Sequence, residues 1–192
     1  MATMQERIAR SDSVPPKCVP FMLLTERQRE VLQHKADGYN HSEIAGRICL
    51  SKKTIEARVR SIGRMAILGE PFGAGRPSDY PGQTRITIVG LIQDGIANGY
   101  LDHDLSGVSI KPLSQREAQI VSMLLETGKT APQIADSLAI KLKTVEAYIE
   151  HIHLKLSIRN LYHLAARVTY LKLHDMWPEP VGNRGRKSVV SF

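Results

Sequence analysis

Apolar residues recur along this chain at the spacing of helices with one buried face. Val145, Ile149, Ile152 and Leu156 stand at i, i+4, i+7 and i+11, which aligns them on one side of a helix. Lys143, Glu146, Ala147 and Glu150 then fall away from that side. Just upstream, Ala131-Pro-Gln-Ile-Ala135 and the Asp-Ser-Leu-Ala-Ile after it predict a shorter helix and a tight link. A short capped helix, a tight turn and a second amphipathic helix form the pattern of a helix-turn-helix. Asn160 would cap a last helix carrying Leu161, Leu164, Ala165, Val168 and Leu171 on one face.

The pattern occurs twice. Leu24-Thr-Glu-Arg-Gln-Arg-Glu-Val-Leu32 aligns with Leu113-Ser-Gln-Arg-Glu-Ala-Gln-Ile-Val121, an internal repeat of a whole structural unit. Each opens with a capping box, Thr25 with Gln28 and Ser114 with Glu117. Gly38 aligns with Gly128, a helix-ending residue free to take positive φ. The next helices open on Asn40 with Glu43 and on Thr130 with Gln133. Ser51-Lys-Lys-Thr-Ile-Glu-Ala-Arg-Val59 then matches Lys141-Leu-Lys-Thr-Val-Glu-Ala-Tyr-Ile149. Shared boxes, glycine and Lys-Thr-(Ile/Val)-Glu-Ala are more than two unrelated amphipathic segments would share.

After Arg64-Met-Ala-Ile-Leu68 the copies diverge. The first enters a Gly- and Pro-rich stretch, 69–83, which reads as an inserted loop. A delayed fourth helix follows from Thr84 to about Asn98, with Ile88, Leu91, Ile92 and Ile96 as its stripe and Gly99 as its stop. Arg85-Ile-Thr-Ile-Val89 also allows a strand. The expected fold is all-α: a first domain over 21–101, a short linker over 102–112 and a second domain over 113–175, each of four helices. Residues 1–20 form an arm whose prolines exclude a regular helix near Val14–Pro20. Residues 176–192 form a mobile basic tail, with Trp177 packing back on the domain.

These motifs resemble the LuxR/GerE-type helix-turn-helix family. The matching residues are Leu113-Ser-Gln-Arg-Glu117, Gly128, Gln133-Ile-Ala135, Lys143-Thr-Val-Glu146 and Lys155-Leu-Ser-Ile-Arg-Asn160, in the family's order. The resemblance implies a DNA-binding regulator whose second motif helix enters the major groove. Family members usually join one such domain to a sensor or phosphoacceptor domain and bind as dimers. This chain carries two output domains and no recognisable input.

Charge and composition narrow the reading. Lys+Arg 26 against Asp+Glu 19 give a formal charge of +7, which suits an anionic partner, although many proteins reach it without one. Cys18 and Cys49 lack ligand spacing and read as reduced thiols. No apolar run reaches membrane-spanning length, and Met1–Arg10 is charged where a signal peptide is apolar. A cytoplasmic, nucleoid-associated protein is expected. No phosphate-binding loop, nucleophile elbow or acid–base pair is present, and His151 and His153 lie on different helix faces. No enzyme activity, metal or cofactor is expected.

The candidate DNA contacts lie on the two second-motif helices. In the first copy, Lys53, Ala57, Arg60 and Arg64 share one face, flanked by Lys52, Thr54, Glu56 and Arg58. Lys and Arg at this spacing neutralise phosphates beside the groove, Arg reads guanine bidentately and Glu accepts from cytosine N4. A solvated charged face would carry the same residues. In the second copy the candidates are Lys141, Lys143, Thr144, Glu146 and Ala147. There Glu146, Glu150 and Leu154 suit phosphates poorly, Lys141 replaces the Ser51 cap, and Leu142 stands at a usually polar position. The basic segments Arg76-Pro77 and Arg184-Gly-Arg-Lys187 read either as minor-groove arms or as solvated linkers.

Two functions fit. One is a sequence-specific transcription regulator with tandem domains on adjacent half-sites of double-stranded DNA. The other is an interaction module, an anti-activator, that captures a related regulator through a helix-turn-helix face. RNA polymerase, another LuxR-type regulator, or a second copy joined through the last helix of a domain are the protein partners left open.

Overall fold

A computed structural model describes residues 21, 24–68, 81–105 and 108–178; the side chains of 67, 68 and 81–86 are not described. Every regular element among these residues is a helix: α1 Glu26–Ala36, α2 His41–Arg47, α3 Lys52–Leu68, α4 Pro81–Ala97, α5 Gln115–Leu125, α6 Ala131–Leu138, α7 Leu142–Leu156 and α8 Leu161–Leu173. The arm, residues 69–80 and the tail beyond Pro178 lie outside the described residues.

Local signals set the helix ends. Thr25 N–H donates to Gln28 Oε1 at 2.9 Å and Ser114 N–H to Glu117 Oε2 at 2.6 Å. Asn40 Oδ1 accepts from Ser42 N–H and Glu43 N–H at 2.9 and 3.0 Å, so α2 starts abruptly. Gly38 and Gly128 follow α1 and α5 with φ of 87° and 61°, a backbone that a side chain would strain. The fourth helix corrects the sequence reading at its start. It begins at Pro81 rather than Thr84, so Pro81–Gln83 belong to the helix and not to the loop, and Arg85–Val89 is helical rather than a strand. Proline is favoured in the first helical turn, where its missing N–H leaves no bond unmade.

In each copy the motif helices pack together, α2 on α3 and α6 on α7, with α1 and α5 behind them. The most extensive helix pair, however, joins the copies: α4 of the first lies along α8 of the second, and α1 also meets α8. Ile88, Leu91, Ile92 and Ile96 of α4 and Leu164, Ala165 and Val168 of α8 belong to one buried cluster that runs through both halves. Each Å² of apolar area buried in this seam contributes ~25 cal/mol to holding the two copies together.

Polar groups complete the junction. Asn160 caps α8, accepting from Tyr162 N–H and His163 N–H, and its Nδ2 donates to Gly38 O of the first copy at 2.8 Å. The Lys35 ammonium lies over the Tyr162 ring, 5.3 Å from its centre. A Cβ on Gly38 would come within 2.6 Å of His163 Nδ1. Arg167, 3% exposed, donates from Nη2 to His163 Nε2 at 3.0 Å, and His103 meets the His163 ring edge-on at 5.6 Å. Burial, then the Arg167 charge, lowers His103 and His163 to about 4, so both are neutral near pH 7. The segment between the copies is pinned at both ends. Gln33 exchanges two hydrogen bonds with the backbone of Asp102, at 2.8 and 2.9 Å, and Lys111 N–H donates to Lys155 O at 2.9 Å.

Candidate nucleic-acid interface

The exposed faces of α3 and α7 follow from what each helix buries. In α3, Ile55, Val59, Ile62 and Ala66 point inward at 8% exposure or less. That turns Lys52, Lys53, Ala57 and Arg60 fully to solvent and leaves Thr54, Glu56, Arg58 and Arg64 partly exposed. Ser51 Oγ accepts from Thr54 N–H at 3.1 Å, and the two hydroxyls lie 2.7 Å apart, so the first turn is capped by a side chain. Among the described residues, no ion pair engages Lys53, Arg58, Arg60 or Arg64. Four cationic groups are therefore available to an anionic partner.

Glu56 is held differently. Its Oε1 lies 3.9 Å from both Lys52 Nζ and His41 Nδ1, the latter on α2. Burial and the charges of Lys35, Lys52 and Arg60 keep His41 below the usual histidine range, against the pull of Glu56. This half-buried carboxylate thus lies between Lys52 of its own helix and His41 of α2.

In α7, Val145, Ile152 and Leu156 are buried at 1% or less, and Ile149 is half-buried. Lys143, Thr144, Glu146, Ala147 and Glu150 are exposed, and Lys141 caps the helix without a side-chain hydrogen bond. Leu142 is 41% exposed and Leu154 75%. Aligned on the repeat, Lys53, Ala57, Arg60 and Arg64 of α3 become Lys143, Ala147, Glu150 and Leu154 of α7. The two faces share Lys-Thr and Glu-Ala, and differ in charge where Ser51 and Lys52 become Lys141 and Leu142 and where Arg60 and Arg64 become Glu150 and Leu154.

The fold thus turns Lys53, Ala57 and Arg60 of α3 and Lys143, Glu146 and Ala147 of α7 outward, with Thr54, Glu56, Arg58 and Arg64 partly exposed beside the first set. It also gives junction residues roles that the sequence does not announce. Asn160 was expected only to cap α8, yet it also reaches Gly38 O. Arg167 and His163 are buried at the junction; their signal was a basic and a polar residue within the stripe of Leu164, Val168 and Leu171.

No helix among the described residues is long and apolar enough to cross a membrane. No curated protein and no solved structure matches the chain. Comparison with known families matches one, described as bacterial regulatory proteins of the luxR family, at residues 22–64 and again at 111–168. The matched segments fall one in each copy and together take in slightly more than half of the 192 residues. With two capped helix-turn-helix units and that match, the chain belongs to the luxR family of bacterial regulatory proteins, DNA-binding regulators of transcription.

Proposed function

We propose that this chain is a sequence-specific transcription regulator that reads adjacent half-sites with two unequal helix-turn-helix copies. The observation that carries this reading is the capped α3, with Lys53, Arg58, Arg60 and Arg64 outside any ion pair among the described residues. Lys52, Lys53, Arg58 and Arg64 neutralise flanking phosphates, while Arg60 and Ala57 face base edges, Glu56 accepts from cytosine N4 and Thr54 is bonded to the Ser51 cap. On the second half-site Lys141, Lys143 and Thr144 meet phosphates, and Glu146 and Ala147 face the bases. The α4–α8 seam supplies within one chain the pairing that family members achieve as dimers. The chain then acts as a monomer in the cytoplasm, on the nucleoid, with RNA polymerase as its further contact.

A second reading draws support from Glu150 and Leu154, which occupy the places of Arg60 and Arg64. An acidic group repels phosphate and an exposed leucine gains from an apolar partner. On this reading α7 binds another regulator while α3 binds DNA or is masked.

Selection from random duplexes by the whole chain separates the two. A composite site with two conserved blocks supports tandem reading. A single block, lost on Arg60→Ala, assigns DNA to the first copy alone and the second copy to protein. No enrichment at any salt concentration would remove sequence-specific DNA binding altogether.

A further inference from the structure

We propose that the outward face of α7 docks on the outward face of α3 in a second molecule of this chain, so that the DNA-free protein masks its own cationic helix. The proposal rests on the reading of α7 as a protein-binding face and names its partner.

Helix positions four apart stack into a ridge. On α7 one such ridge is Leu142, Glu146, Glu150 and Leu154, exposed throughout, with Leu154 at 75%. Among the described residues no ion pair engages Glu146 or Glu150. The aligned ridge on α3 is Lys52, Glu56, Arg60 and Arg64. Lys52 lies 3.9 Å from Glu56 within that ridge, which leaves Arg60 and Arg64 to seek a carboxylate elsewhere.

Charge selects the pairing. Two α7 faces set together would crowd the carboxylates of Glu146 and Glu150 against their own copies. Two α3 faces would do the same with Arg60 and Arg64. Both arrangements are repelled, and α3 against α7 is the complementary one. It also has a direction. Run antiparallel with Arg60 opposite Glu150, the ridges set Arg64 opposite Glu146 and Glu56 opposite Leu154, and carry Lys141 and Lys143 past Arg64. Run parallel on the same match, they would set Glu56 against Glu146 and Lys53 against Lys143. Leu154 then lies beside Ala57 and the methylenes of Arg60, an apolar contact next to the ion pairs. Because one surface meets a different one, the association is heterologous and need not stop at two molecules. Phosphates compete for the same arginines, so DNA releases the monomer.

Sedimentation equilibrium of the full chain without DNA tests this. At about 50 mM salt the average mass should rise with protein concentration above that of the 192-residue monomer, and at about 500 mM it should return to it. Glu150→Arg and Arg60→Glu, both at exposed positions, should each abolish the rise in variants whose far-ultraviolet circular dichroism matches the parent. Combining them reverses the pair and should restore it. A monomer at every concentration in low salt, a rise unchanged in Glu150→Arg, or a double variant that stays monomeric overturns the proposal. With no DNA present, none of these outcomes depends on whether α3 reads a site. A monomer in low salt would also leave α7 free to hold a different regulator, so the docking can fail while the reading beneath it stands.

Discussion

The two copies share a frame and differ in what they place on it. Both open on a capping box, turn at a positive-φ glycine and present a helix that begins with Lys-Thr-(Ile/Val)-Glu-Ala, its Ile or Val buried. Beneath that face the first copy sets Gln28 against Met65, with Nε2 3.3 Å from Sδ. At the aligned positions the second copy sets Glu117 against Lys155, at 2.7 Å with Glu117 3% exposed. On the face itself Arg60 and Arg64 give way to Glu150 and Leu154. At these positions the first copy therefore has a neutral pair and a cationic face outside, while the second has an ion pair and a mixed surface outside. The same backbone tolerates either distribution, because the caps and apolar stripes that specify it lie elsewhere.

The junction makes the comparison meaningful, since the copies must fold as one unit for their faces to keep a fixed relation. Acid should break that unit first. The unfolded chain protonates His103 and His163 near pH 6.5, whereas the folded chain resists until about 4. The unfolded state thus binds more protons in this window, and stability falls as pH drops from about 6.5 to 4. The loss is on the order of 3 kcal/mol for buried His163 and less for half-buried His103. Urea unfolding at pH 7, 6, 5 and 4.5 measures it. A flat profile would mean that water reaches both rings.

The internal pairs come next. Lys155→Met leaves the Glu117 carboxylate buried without its cation and should cost about 2–3 kcal/mol, at the low end for a buried pair because Lys155 keeps 31% of its side chain wet. Adding Glu117→Gln reproduces the first copy's pair and should bring stability back to within about 1 kcal/mol of the parent. Burial works against the Glu117 charge, but bonds from Lys155 and Ser114 outweigh it and hold the carboxyl below its ordinary range. Its contribution, present above pH 4.5, is lost as pH falls through the lowered value, and the double variant should lack that part of the acid profile. Failure of the second substitution to rescue the first would show that the two copies do not share an interchangeable core.

The faces should separate in DNA binding. Arg60→Ala is expected to weaken specific binding by about 1–3 kcal/mol, as for a lost base contact. Glu150→Ala should cost little, or tighten binding by removing a negative charge. Gel shifts on the selected site test both, and the reverse ranking would exchange the roles of α3 and α7. Smaller still, Lys141→Ser gives α7 the cap that Ser51 gives α3 and should raise stability by about 1 kcal/mol in thermal unfolding. Lys52→Ala should flatten the slope of log affinity against log salt by about 0.9, one phosphate contact.

What was legible in the chain is what is decided locally. Thr25, Asn40, Ser114 and Asn160 cap where the sequence places them, and the stripes of α4, α7 and α8 bury as their spacing predicts, with Ile149 and Leu161 only partly covered. The start of α4 was read three residues late, because the glycines and prolines of 69–83 argue for a loop and conceal that Pro81 suits a first turn. The junction was not legible at all. Nothing near Gly38 announces Asn160, 122 residues away, and nothing near Gln33 announces Asp102. The outward residues of α3 and α7 could be named because a buried stripe defines its opposite, but whether they meet DNA depends on a partner that periodicity does not describe.

A spacer series in the selected composite site tests the central claim most directly. The seam between α4 and α8 fixes the two reading helices to one body, so one centre-to-centre spacing near a helical turn, about 10 base pairs, should bind best. Moving one half-site by about 5 base pairs turns it to the opposite side of the duplex and should remove most of the gain from the second copy. Footprinting should then show two protected blocks at the preferred spacing and one at the shifted spacing. Equal protection at every spacing, or a footprint only one half-site long throughout, would contradict tandem reading and leave the second copy as a protein-binding module.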